Sequence, residues 1–285
     1  MTPLRSHRRL RALALGLAVA LVGVAIAAPA VAGASASVRA AVERGAARQA
    51  AGNGTFFRSA CTLSHTATVD PIVHPGMPGI SHSHEFFGNT TTNADSTLQS
   101  LLGQPTTCRI AGDTAAYWVP TIYANGVRVP PSFVFAYYFA DGARGRVQPF
   151  PAGLKVIAGS STATTPQSTA TVGWKCAGIG NRLSAEPIAC PASHAVLVHN
   201  FPDCWDGRNL DSADHRSHLA YRVRGQCPTT HPAVLPQLSL RVHYRLPSTT
   251  GLTTAAGSIY AVHADFFNAW DQAVLTRLVN QNLNG

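Results

Sequence analysis

Six cysteines, spread from Cys61 to Cys227 and all downstream of an apolar leader, most limit what this chain can fold into. An even number of cysteines in an exported chain reads as a set of disulfides, and the sequence alone does not fix their connectivity. None of the spacings gives Cys-x-x-Cys, and oxidation outside the cell removes the thiolates that zinc needs. Proximity along the chain favours pairing neighbours: Cys61 with Cys108, Cys176 with Cys190, and Cys204 with Cys227.

The leader itself is Arg5, Arg8, Arg9 and Arg11 followed by Leu13 to Ala28, built only of Leu, Ala, Val, Gly and Ile, and closing on Ala30-Val31-Ala32. This pattern makes residues 1–32 a signal peptide and the expected product a secreted, extracellular protein with no stable membrane span once the leader is removed. An uncleaved anchor is the alternative, because the apolar stretch approaches the roughly 20 residues that cross a bilayer. The Arg8-Arg9 pair fits both twin-arginine and general secretory leaders. The leader also accounts for much of the formal +9 charge; without its four arginines, eighteen basic residues face thirteen acidic ones. That remainder is diffuse and includes only Lys155 and Lys175 as lysines, so nucleic acid is not an expected partner.

Residues 33–54, mostly Ala, Ser, Arg and Gly, form an expected flexible linker, with room for a short helix around 40–51 that has no large apolar face. From residue 55 to 285 the pattern is one β-rich domain, since 24 glycines and 19 prolines punctuate short apolar segments and argue against a helical bundle. Tyr117 to Tyr123, Asn125-Gly126 and Val127 to Val129 read as a hairpin whose turn needs positive φ angles. Phe133 to Phe139, Leu154 to Ala158 and the alternating Leu238 to Arg245 are further strands, and Ser160 to Thr171 is a surface loop. Phe266 to Leu283 shifts to helical spacing through Phe267, Trp270, Val274 and Leu278. The expected fold is mainly β: an antiparallel β-sandwich-like single domain with long loops and a C-terminal helix.

Histidine carries the chemical signal, with eleven of twelve lying beyond the leader and several standing beside acids. In an extended backbone His82 and His84 share a face while Glu85 points away, so both imidazoles can reach one metal ion or form a hydrogen-bonded structural pair. Between His199 and His218, the acids Asp206, Asp211 and Asp214 and the bases His215 and His218 mingle with Phe201 and Trp205, residues that prefer interiors. A Cys204–Cys227 bridge would restrain that loop, either as a preorganised site or as a network of loop-fixing hydrogen bonds. His263 and Asp265 stand where strand-like sequence gives way to the terminal helix, and Asp265 is either a helix cap or a site residue.

These motifs follow one another in a recognisable order: Asp70-Pro71-Ile72-Val73, Ser81-His82-x-His84-x-Phe86-x-Gly88, Tyr117-Trp118-x-Pro120, Phe201-Pro202-x-Cys204-Trp205-Asp206-Gly207, Asp214-His215-x-Ser217-His218 and His263-x-Asp265-Phe266. Over about residues 56 to 280 the chain resembles a domain-of-unknown-function family of secreted bacterial and fungal proteins. In fungi that family is often found beside WSC carbohydrate-binding modules, which implies a cell-wall or polysaccharide setting. Three functions fit. The first is a hydrolase of extracellular polysaccharide or another cell-wall polymer. Its metal-dependent form uses His82, His84 and His263 as ligands of a divalent ion, with Asp265 or Asp214 beside them. Its metal-free form pairs Asp206 and Asp214 as acid and base, with His215 and His218 nearby. The second is a non-catalytic carbohydrate-binding module that stacks sugars on Tyr117, Trp118, Tyr137, Tyr138 and Trp205. The third is a structural domain with buried His/Asp networks. Gly-x-Ser-x-Gly, P-loop and dinucleotide fingerprints are absent from the sequence.

Overall fold

A computed structural model of the chain describes residues 56–140 and 142–285. The leader and the expected linker lie outside the described residues. Among those described, the chain is mainly β, with two five-stranded and two smaller sheets, all antiparallel. The first large sheet runs in the order β1 (Phe56–Cys61), β7 (Phe133–Phe139), β14 (Gln237–Tyr244), β10 (Ala195–Asn200) and β9 (Val172–Cys176). The second runs β2 (Leu63–Ala67), β3 (His84–Gly88), β4 (Ala116–Pro120), β17 (His263–Phe267) and β8 (Lys155–Gly159). A four-stranded sheet orders β16 (Gly257–Ser258), β15 (Leu252–Thr254), β5 (Ile122–Ala124) and β6 (Val127–Val129), and a three-stranded one β12 (Leu219–Ala220), β11 (Cys204–Trp205) and β13 (Ala233–Val234).

The core lies between the two large sheets, because strand alternation sends every second residue inward from each. Val134, Ala136 and Tyr138 of β7, Leu238, Leu240 and Val242 of β14, and Tyr117, Val119, Ala264 and Phe266 of the second sheet form one buried apolar cluster. The opposite face of the second sheet buries a smaller cluster of Phe86, Ala116, Trp118, Ile157 and Phe267 under the 68–101 segment, through Val69, Ile72 and Leu101. That segment carries helix α1 (Leu98–Leu101), capped by Thr97. The three expected disulfides are the ones present.

The Asn125-Gly126 turn forms between β5 and β6 with φ of 51° and 78°, the left-handed pair that a tight hairpin needs. The strand before it is broken: Thr121 separates β4 from β5, and the chain passes from one sheet into another. The terminal helix α2 covers Gln272–Leu283, starting six residues later than the expected Phe266. Phe266 and Phe267 belong to β17 instead, where the hydrogen-bond ladders to β4 and β8 outweigh an apolar spacing that also fits a helix. Asp271, not Asp265, caps α2 by accepting from the amides of Ala273 and Val274. Tyr117, Trp118 and Tyr138 are fully buried, so these three offer no platform for sugars.

Beneath α2 a polar chain crosses the core. The Trp270 indole donates to the Tyr138 hydroxyl at 2.9 Å, the two tyrosine hydroxyls are 2.6 Å apart, and Tyr117 donates to Asp113 at 3.0 Å. Burial pushes Asp113 up from 3.8 to about 7, despite hydrogen bonds from Ser59 and Tyr117. The folded state therefore holds this proton over a range where the unfolded chain has released it, and stability declines as pH rises from about 4 to about 7. Asp113→Asn should remove that component. Urea unfolding at pH 4.5 and 7.5 should show the variant gaining a few kcal/mol on the parent between the two, at about 1.4 kcal/mol per pH unit. An identical pH slope in both proteins would contradict the assignment.

Candidate metal centre

β17 builds the site, because it lies between β4 and β8 and its alternation splits its residues between two faces. Ala264 and Phe266 enter the main core, while His263 and Asp265 emerge on the other face beside His84 of β3 and below the 68–83 loop. His82 lies in that loop two residues before β3 and is half-buried; His84, His263 and Asp265 are buried. Asp70, also buried, begins the loop and fixes it by accepting from the amides of Ile72 and Val73, both at 2.9 Å, through one carboxylate oxygen. Gly159 lets β8 approach: at φ +80°, a Cβ there would come within 2.7 Å of the Val262 carbonyl and 3.1 Å of the His263 Cα.

The tautomers follow from the partners. Nδ1 of His84 lies 3.0 Å from the Val69 carbonyl, and Nδ1 of His263 lies 3.0 Å from the Ala261 carbonyl. A carbonyl only accepts, so each Nδ1 carries the hydrogen, and each Nε2 of the neutral ring presents a lone pair. Those two Nε2 atoms are 3.4 Å apart, and Nε2 of His82 is 3.2 Å from that of His263. Two lone pairs cannot hydrogen-bond each other. Protonation is disfavoured as well: burial and the neighbouring rings hold His84 well below 6.5, and burial lowers His263 to about 3 and also lowers His82. Ligand nitrogens around a tetrahedral ion at about 2.0–2.1 Å stand roughly 3.3 Å apart, which is the spacing seen.

The acids point the same way. Neither carboxylate oxygen of Asp265 has a hydrogen-bond partner, although one lies 3.9 Å from Nε2 of His263. Burial, then the charge of Asp70, pushes Asp265 well above the ordinary carboxylate range. His82, His84 and His263 place their ligand atoms within 4.8 Å of one another, and so do Asp70, His84 and Asp265. His84 belongs to both groups, and its Nδ1 is already committed to a carbonyl, so one ion rather than two suits the cluster. The donors, imidazole and carboxylate, suit a divalent transition metal. The carbonyl bonds at Nδ1 are the outer contacts that orient such ligands.

The 206–218 loop is placed differently. Asp206 accepts from the amides of Arg208 and Asn209 and from the Asn209 side chain, and Asp214 accepts from Ser212, Arg216 and Ser217. His215 bonds Asp211 at 2.9 Å, and His218 bridges Ser212 and the Lys155 carbonyl. Of the sequence-derived candidates, the structure thus gathers His82, His84, His263 and Asp265, and sets Asp206, Asp214, His215 and His218 in a neighbouring loop with their hydrogen bonds engaged. That loop reaches the centre through Arg216, which donates to the Gly159 carbonyl at 2.7 Å and whose charge is felt by His263 and Asp265. Asp70 and Arg216 are residues the sequence showed without a role. The Asp-Pro that opens the loop was the available signal for Asp70, and its placement opposite Asp265 depends on a contact nearly 200 positions away along the chain.

An unpartnered buried carboxylate has a measurable cost. In protein stripped with a chelator, Asp265→Asn should raise stability at pH 7.5 by about 1–3 kcal/mol, because the amide requires neither a buried charge nor the uptake of a proton that the unfolded carboxylate has released at that pH. Denaturant melts of both chelated proteins would test this, and a destabilised variant would mean that Asp265 has a protein partner.

A family model for a domain of unknown function, DUF1996, matches residues 70–270, from the first acid of the centre to the residue before the cap of α2. No curated protein and no solved structure matches the chain. The match spans well over half of the sequence and encloses every residue of the metal-ligand cluster, and the chain belongs to the DUF1996 family.

Proposed function

We propose that this protein is a secreted, metal-dependent hydrolase of extracellular or cell-wall polysaccharide, with His82, His84 and His263 as ligands and Asp265 or Asp70 completing the set. The observation that carries the metal is the meeting of the His84 and His263 lone pairs at 3.4 Å beside a buried carboxylate with no partner. A divalent ion held there would supply Lewis-acid polarisation of the bond to be cleaved. The chain's own groups do the rest. Half-buried His82 marks the open side of an otherwise buried cluster. The carboxylate that is not a ligand can receive and return a proton, for which the raised proton affinity of Asp265 is suited. Arg216 supplies positive charge beside the cluster.

Two surface features support a polymeric substrate. Val73, Met77 and Ile80 are exposed on the loop that carries His82. A groove of about 560 Å³, bordered by Pro71, Pro75, Lys155 and Phe267, lies on the same face of the sheet, two residues along β17 from Asp265. Three disulfides, and the absence among the described residues of any helix long and apolar enough to cross a membrane, agree with export. The metal-free form, with Asp206 and Asp214 as acid and base, needs one carboxyl that keeps its proton near neutral pH. Backbone amides at Ser217 and Arg216 and the Ser212 hydroxyl instead hold Asp214 far below the usual range.

Metal analysis of protein purified without chelator should find one divalent ion per chain. His84→Ala and His263→Ala should lose it while keeping their disulfides and a cooperative melt. Release of reducing ends from cell-wall polysaccharides should fall at least a hundredfold in both variants and in chelated protein, and should return on adding the ion back to the parent. Metal-free parent protein would overturn the metal assignment. Loaded protein that binds but never cleaves any polysaccharide would overturn the hydrolase.

A further inference from the structure

The outer side of the first large sheet faces away from the metal centre, with the main core between them. Register fixes what it presents. Phe56 and Arg58 of β1 stand beside Phe139 and Tyr137 of β7, which pair in turn with Gln237 and Ser239 of β14. Arg241 and Val198 follow one row on, and Lys175 of β9 lies beyond Val196. The outward strand residues thus include Arg58, Arg241 and Lys175 and no carboxylate.

A groove of about 350 Å³ opens on this face, among Lys175, Arg241, Asn200, Ser239, Gln237 and Phe139, and no Asp or Glu lines it. Lys175 donates to Asn181 at 3.1 Å, leaving ammonium hydrogens for another acceptor. Burial, then the charge of Arg241, lowers Lys175, the mark of two cations sharing one site. Ser239 is only 2% exposed, and its hydroxyl has no hydrogen-bond partner. Such a hydroxyl in a groove with two cations and three amide side chains suits a ligand that carries both hydroxyls and negative charge.

We infer that this groove binds an anionic polysaccharide, with the acid group of one sugar at Lys175 and Arg241 and its hydroxyls at Asn200, Ser239 and Gln237. The rings argue against single-stranded nucleic acid. The Arg241 guanidinium lies 4.2 Å from the Tyr137 centroid and that of Arg58 lies 4.7 Å from Phe135, so these ring faces are already covered. Tyr137 and Phe139 stand parallel at 5.5 Å, whereas a base inserted between two rings needs about 7 Å, twice an aromatic contact.

Affinity electrophoresis and calorimetry of the full chain would use polygalacturonate, dextran sulfate, neutral dextran and single-stranded DNA as probes. The expected result is binding to polygalacturonate that weakens with salt, with neutral dextran at least tenfold weaker. Lys175→Gln and Ser239→Ala should each weaken it at least fivefold with unchanged melting temperature; comparison with dextran sulfate shows whether carboxylate or sulfate is the preferred acid group. His84→Ala should bind like the parent, which separates this site from the metal centre. No binding to either acidic glycan, equal binding to neutral dextran, tighter binding to DNA, or folded Lys175→Gln and Ser239→Ala variants with unchanged affinity would each overturn the inference.

Discussion

The pairing of β17 between β4 and β8 is the constraint on which the molecule turns. A strand hydrogen-bonded on both sides cannot rotate, so its alternate residues are committed to opposite faces. Ala264 and Phe266 close the core, and removing a ring as deeply buried as Phe266 would cost about 3–5 kcal/mol. The same ladder forces His263 and Asp265 out on the far face, where the 68–101 segment buries them. The stability of the sheet thereby holds a costly arrangement of lone pairs and charge that no isolated loop could maintain.

The two His/Asp-rich segments of the chain look alike in composition and differ in bookkeeping. In the 206–218 loop nearly every acceptor meets a donor from its own neighbourhood: Asp206 from the next turn, Asp214 from Ser212, Arg216 and Ser217, and His218 between Ser212 and the Lys155 carbonyl. Such a network spends its polar groups on shape. Around His84 the opposite holds, since donors point outward to carbonyls and acceptors point inward at one another. Burial without pairing costs free energy, and a cation held at the focus, as proposed, would offset it.

What the sequence made legible follows from the range of the interactions involved. Period-two alternation marks β14, and Asn125-Gly126 marks a hairpin, because both are local chemistry. Neighbouring cysteines pair as their spacing favours, and His82 and His84 share a face as an extended backbone dictates, whereas His263 is one candidate among several in the sequence and meets them only through pairing about 180 positions away. The helix starts later than its apolar spacing suggests because Phe266, Phe267 and Trp270 satisfy both a helical spacing and a strand-turn-helix passage, and only pairing partners far along the chain decide between them. The same limit hid Asp70: nothing near Pro71 says that a carboxylate there will face Asp265. It also hid the burial of Tyr117 and Tyr138, whose hydroxyls satisfy each other and Trp270 inside the core.

The opposed faces of the two large sheets bear on how the proposed hydrolase would hold a polymer. A metal held beneath the loop, with half-buried His82 on the open side, would meet a short stretch of such a chain at a time. Affinity for a long substrate then has to come from elsewhere, and a second contact on the same rigid body adds it by raising the effective concentration of the first. The cationic outer side of the first sheet is rigid because Phe56, Phe139, Tyr137 and the guanidinium groups of Arg58 and Arg241 are packed against one another. Little side-chain freedom remains there to be lost on binding, so the few polar contacts proposed there would suffice for retention at a charged matrix.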